Sequence, residues 1–239
     1  MAFLHASRVN RAIPVLTAGV VIGVLEVLVA SSFAALIFSS ELERHLPAGI
    51  GLSLFAATVV MAVVAALSSL PHTMASVQDS TAAILGLVAA RIGELVPEKQ
   101  TFLTVVLAIA VSSVAAGAFF FLLGALRLGN MVRFVPHPVV GGFLAGTGWL
   151  LTKGAIGVLT GIPLSVSTVS RLVDSAALAK WLPGLSLAVL LIVLTRRSSH
   201  PLLIPGSMFA AVAVFYGVVL ASGSGIKGAE DGGWLLGPF

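Results

Sequence analysis

The chain has 239 residues, of which 58% are hydrophobic and 9% charged, and its mean hydropathy is +1.12. So little charge cannot cover a water-soluble domain of this length, which excludes a soluble fold. The 13 basic and 9 acidic residues are scattered between apolar runs with no basic face for nucleic acid, and the absence of cysteine excludes disulfides, thiolate metal ligands and thiol catalysis.

Taken in chain order, Arg8 and Arg11 precede an apolar run from Ile13 to Phe38. A cleavable signal has an apolar stretch of about 7–15 residues, so residues 1–12 read as a cytoplasmic N-terminus and 13–38 as an uncleaved first span. Six further spans are expected near 50–67, 75–92, 102–126, 138–159, 177–195 and 202–220, most long enough for the roughly 30 Å hydrocarbon layer. Helix punctuation marks them: Pro47 and Gly49 before the second, Pro71 before the third, Pro136 and Pro138 before the fifth, Pro201 and Pro205 around the start of the seventh. Pro183 and Gly184 interrupt the sixth, which suits a tilted, packed or re-entrant segment. The Gly-rich tail 221–239, with Gly232, Gly233, Gly237 and Pro238, reads as a linker leading to a missing second half.

With the N-terminus inside, the inward loops hold Arg8, Arg11, Arg127, Arg133, Arg196 and Arg197 and no acidic residue. The outward segments hold seven basic residues, one more than the inward loops, balanced by acidic ones. The charge pattern thus agrees with a cytoplasmic N-terminus at an inner membrane, although the Lys/Arg count alone does not impose it.

Chemistry in such a chain is sought where polarity is costly. Glu26 lies mid-way through the first span and Asp79 near the start of the third, and a charged group at a bilayer centre costs about 2.5–3.5 kcal/mol on insertion scales. Each is either a functional group or a buried packing device. The run Gln78, Asp79, Ser80, Thr81, Ala82 places cap-forming side chains directly before the apolar stretch Ile84–Ala90, as at a helix that begins inside the membrane. Such a start presents unpaired N–H groups and a partial positive charge, and so holds an anion without a basic side chain. The competing reading is an ordinary N-cap at the membrane surface. Gly142 and Gly146, one turn apart in the fifth span, form a small-xxx-small pair for helix packing. The histidines His5, His45, His72, His137 and His200 have no metal-ligand spacing, so no metal is expected. Neither His-Glu-x-x-His nor a Gly-x-Ser-Gly element with a membrane histidine is present, so no enzyme is expected.

The run Phe134-Val135-Pro136-His137-Pro138-Val139-Val140-Gly141-Gly142-Phe143 resembles the signature that opens the fifth span of the sulfate permease (SulP) family. Asp79-Ser80-Thr81-Ala82-Ala83 resembles that family's Gly-Pro-Thr-Ala-Ala segment at its first half-helix. The likeness covers nearly the whole chain. It implies an all-α polytopic fold of two inverted repeats of seven spans, shared with uracil permeases, of which this chain supplies the first, with its third span a half-helix. It also implies secondary active transport of inorganic anions of the sulfate or bicarbonate class, with Gln78, Asp79, Ser80, Thr81 and Ala82 lining the substrate site and Glu26 facing the same cavity. Glu26 and Asp79 become candidates for a coupling proton or sodium ion, and no other cofactor is implied. The implied partners are the lipid bilayer, the second repeat, a cytoplasmic STAS domain of the bacterial kind and, at full length, a second copy. Asp79-Ser80 stands where the family has Gly-Pro, which puts a carboxylate at the end of the helix that should attract an anion. A uracil/xanthine-type permease half and a non-transporting channel or scaffold subunit are the remaining readings.

Overall fold

The computed structural model describes residues 2–70, 73–200, 202–223 and 225–235, with backbone alone for 2–14, 40, 41 and 130–132. Pro71 and Pro201, expected as helix punctuation, lie outside the described residues, as do His72, Gly237 and Pro238.

Apolar runs dictate helices throughout, because a backbone crossing lipid must satisfy its own N–H and C=O groups. The helices are α1 (Ala2–Ile37), α2 (Leu46–Leu67), α3 (Asp79–Leu95), α4 (Glu98–Ala125), α5 (His137–Thr160), the single turn α6 (Val169–Leu172), α7 (Ser175–Arg197), α8 (Leu203–Ala221) and α9 (Gly225–Asp231). Two 3-10 turns, Ser40–His45 and Leu128–Phe134, precede α2 and α5. Among the described residues there is no strand, and the fold is that of an all-α polytopic membrane protein. Six stretches are long and apolar enough to cross a bilayer: Val15–Ile37, Leu42–Leu67, Glu98–Ala125, His137–Thr160, Ser175–Arg197 and Leu203–Ala221. The third expected span is the exception. Its helix has 17 residues, about 25 Å at 1.5 Å per residue, and residues 73–78 before it are not helical.

The backbone departs from the expected boundaries in several places: α2 opens at Leu46 and α3 runs from Asp79 to Leu95, against 50 and 75–92. Helix α1 already starts at Ala2, so most of the expected N-terminal segment is helical. Helix α7 runs unbroken through Pro183, which suits the tilted or packed reading of that segment and not the re-entrant one. A proline is tolerated inside a membrane helix more readily than in a soluble one, because breaking the helix would leave still more backbone groups unsatisfied in lipid. Helix α4 begins at Glu98 rather than near residue 102, because Glu98, Lys99 and Gln100 form a charged first turn after Pro97.

Two compact units divide the chain, one of residues 1–27 and 164–239 and the other of residues 28–163. The first unit contains the α7–α8 pair, with α9 folded back against α8 and the indole N–H of Trp181 donating to the Leu172 carbonyl at 3.0 Å. In the second, α3 packs chiefly against α5 and α4. Its small core, Ala35, Ile37, Phe38, Leu42, Leu46, Ala89 and Val105, gathers the end of α1, the first 3-10 turn and the start of α2 against α3 and α4.

Most of the apolar surface faces outward. Phe119, Phe120 and Phe121, consecutive on α4, are 58%, 68% and 75% exposed, as suits a helix whose solvent is lipid. The hydroxyls are hidden within their own helices: Thr58 donates to Leu54, Thr104 to Gln100, Thr152 to Gly148 and Thr195 to Leu191. Among the described residues no buried side-chain polar atom lacks a partner.

Gly49 shows how tightly the small core is closed. A Cβ added there would run into the ring of Phe38, itself 2% exposed. Gly49→Ala is therefore expected to cost about 1–3 kcal/mol by overpacking, seen as a lower melting temperature in detergent. An unchanged melt would mean that the Phe38 ring moves aside freely.

Candidate transport site at the start of helix α3

The helix start predicted between Gln78 and Thr81 is where α3 begins. Gln78 has extended backbone (φ −84°, ψ 121°) and its carbonyl accepts the Ala82 N–H at 3.0 Å, closing the first helical turn. This leaves the N–H groups of Asp79, Ser80 and Thr81 without partners from the helix itself. The Asp79 carboxylate takes one of them, accepting the Ser80 N–H at 2.7 Å. Gln78, Asp79 and Thr81 are exposed and Ser80 is half-buried, whereas Ala82 and Ala83, at 3% and 4% exposure, fix the turn against its neighbours.

The depth of this start follows from two independent observations. Ala89 of α3 shares the core cluster with Leu46, which opens α2. Ten residues of helix, about 15 Å, separate Ala89 from Asp79, and about 15 Å from Leu46 along α2 lies Ala56. The chain just before α3 meets α2 at that height: Ala75, Ser76 and Val77 line a recess of about 110 Å³ with Ala56, Ala57 and Val60. Ala57 is in the middle of α2 and is one of its few buried residues. Helix α3 thus starts level with the centre of a 22-residue apolar helix, not with its end. An N-cap out among lipid headgroups would lie near Leu67.

The remaining predicted residues are placed as follows. Glu26 stands at the centre of the apolar stretch Val15–Ile37 and is 7% exposed, within the first unit. Gly142 and Gly146 lie on α5, both exposed, and a Cβ added at either would meet nothing within 4 Å among the described residues. Of the signature run, Phe134 carries the guanidinium of Arg133 over its ring at 5.0 Å, and Pro136 caps α5. No group of three or more metal-ligating side chains occurs among the described residues.

Sequence reasoning counted Ala75–Val77 in the third span and gave them no place in the binding turn, whereas they are not helical and line the recess against α2. It also missed His45, whose ring stacks on Phe102 at 4.5 Å while Nε2 accepts from Arg44 at 3.2 Å, beside the Arg44–Glu98 ion pair. This corner ties the first 3-10 turn to α4.

The chain is 26% identical over 241 residues to the vacuolar basic amino acid transporter VSB1 of Saccharomyces cerevisiae, a match that covers 96% of this chain and 23% of that relative. The chain therefore spans about a quarter of the length of the curated relative it matches. No solved structure gives a significant match. The model of the Sulfate permease family matches residues 15–232, from the first apolar helix through α9, and on that match the chain belongs to this family.

Proposed function

We propose that the protein carrying this chain is a secondary active transporter of inorganic anions of the sulfate or bicarbonate class, and that its substrate sits against the start of α3. The observation that supports this most is the level at which α3 begins: free amides and the positive end of a helix dipole stand level with the middle of α2, beside a recess. Gln78, Asp79, Ser80, Thr81 and Ala82 form the binding turn, and Glu26 carries the coupling proton or sodium ion. The cavity is completed by a second inverted repeat, and the protein works as a multi-pass inner-membrane protein with a cytoplasmic N-terminus, a STAS domain and a second copy as partners.

A second reading is favoured by one residue. Asp79 puts a carboxylate at the anion-attracting end of the helix, which suits a substrate with a cationic group, and the yeast relative is named for basic amino acids.

The chain has no cysteine of its own, so Thr81→Cys, with any cysteine elsewhere in the full-length protein replaced, reports on the site. In proteoliposomes of the full-length protein, saturable sulfate or bicarbonate uptake is expected, and a methanethiosulfonate reagent at Thr81→Cys is expected to block it unless the substrate is present. Protection by lysine and not by sulfate would favour the second reading. Unsaturable uptake that ignores the reagent would leave only a channel or scaffold.

A further inference from the structure

We infer that Leu36, in the last turn of α1, is a positioning residue: a peg seated between glycines of α3 and α5 that sets the height at which α3 begins. All three residues belong to the second unit. A Cβ added at Gly154 of α5 would run into Leu36 Cδ1, with Cγ at 3.4 Å and Cδ2 at 3.7 Å. A Cβ added at Gly86 of α3 would meet Leu36 Cγ at 3.4 Å and the Leu36 carbonyl oxygen at 3.5 Å. One side chain therefore touches two helices where both lack their own, and these two helices make the most extensive contact of α3. Leu85 beside Gly86 and Val158 one turn beyond Gly154 pack against the small core to which Ala35 and Ile37, the neighbours of Leu36, belong.

The mechanical consequence follows from helix geometry. Seven residues, about 10 Å of rigid helix, separate Gly86 from Asp79, so a shift at the peg reappears undiminished at the binding turn. Helices in lipid are held by close van der Waals fit rather than by a hydrophobic drive toward each other, so a notch of two glycines defines their register more sharply than the apolar residues around it. Gly141, Gly142, Gly146, Gly148 and Gly157, on the same helix α5, meet nothing within 4 Å among the described residues, whereas Gly154 meets the Leu36 side chain.

The test uses the full-length protein with Thr81→Cys and reads the rate at which a membrane-impermeant thiol reagent labels it, alongside KM for uptake. Gly154→Ala is expected to change the labelling rate and raise KM by about fivefold each, the size of coupling common between touching residues. Adding Leu36→Ala is expected to bring both back toward their starting values, since the shortened side chain vacates the space the new methyl needs. If Gly154→Ala does not fold, recovery of folding by Leu36→Ala supports the peg equally. Labelling and KM unchanged by Gly154→Ala, or a defect that Leu36→Ala leaves in place, would overturn it. The KM readout rests on the transport site proposed above, but the labelling readout does not: labelling that moves with Gly154 and returns with Leu36, in a protein that takes up nothing, keeps the peg and removes the transport reading.

Discussion

Glu26→Gln is expected to abolish accumulation against a gradient while leaving downhill exchange intact. The side chain is 7% exposed at the centre of the apolar stretch Val15–Ile37, with no other ionisable residue in that stretch. A carboxylate at that level costs about 2.5–3.5 kcal/mol if charged, which makes binding and release of a cation there energetically significant. Glutamine keeps the size and the hydrogen-bonding oxygen and removes the charge. One proton moved per substrate across a gradient of one pH unit supplies about 1.36 kcal/mol, enough for roughly tenfold accumulation of a neutral pair. Proteoliposomes with an imposed pH or sodium gradient should therefore lose an accumulation of about that size, down to equality, in the variant. Full accumulation by Glu26→Gln would make Glu26 a packing residue. A parallel Glu26→Leu variant, measured by thermal melting, tells a coupling loss from a folding loss, because a well-packed apolar replacement of a buried polar group is often neutral or stabilising.

Much of the fold is legible because lipid acts as the solvent and apolar length is the governing variable. The apolar runs expected at 13–38, 50–67, 102–126, 138–159, 177–195 and 202–220 form the bodies of α1, α2, α4, α5, α7 and α8. The start of α3 was legible for a local reason: Gln78, Asp79 and Ser80 offer backbone-like acceptors just before a run of helix formers, and the chain uses one of them, the Asp79 carboxylate on the Ser80 N–H. Its end was not. Arg91 and Glu94 read as the edge of a span near residue 92, but they pair with each other one turn apart at 2.7 Å and carry the helix to Leu95. Pro183 misled in the opposite direction, since breaker rules drawn from soluble helices overstate its effect where the alternative is an unsatisfied backbone in lipid. The height of α3 was left between two readings, a start inside the membrane and a cap at its surface. It depends on Ala89 and Leu46 sharing one core and on Ala75–Val77 meeting the middle of α2, residues 15 or more positions apart. The Gly142–Gly146 pair was visible as spacing, yet among the described residues nothing fills it, while Gly86 and Gly154, which no motif flagged, are the ones met by Leu36.

Asp79→Asn is the substitution whose sign separates the two substrate classes. Asparagine retains the Oδ1 that accepts the Ser80 N–H, so the first turn of α3 keeps its geometry and only the charge changes. Against an anion about 5 Å away, at an effective dielectric constant of about 20, the carboxylate repels by up to roughly 3 kcal/mol, and its exposure reduces this to about 1–2 kcal/mol. Removing it should lower KM for sulfate or bicarbonate by roughly 5–30-fold. A substrate that brings a cationic group to the same turn loses an attraction of that size instead, and its KM should rise by a similar factor. Uptake measured over a range of substrate concentrations, in the same vesicles and at matched protein density, reads the direction. If the pH or sodium dependence of uptake disappears together with the charge, Asp79 rather than Glu26 is the coupling group. An unchanged KM for every anion and for lysine would place the substrate away from the start of α3, because no ligand within a helical turn of that carboxylate could ignore its removal.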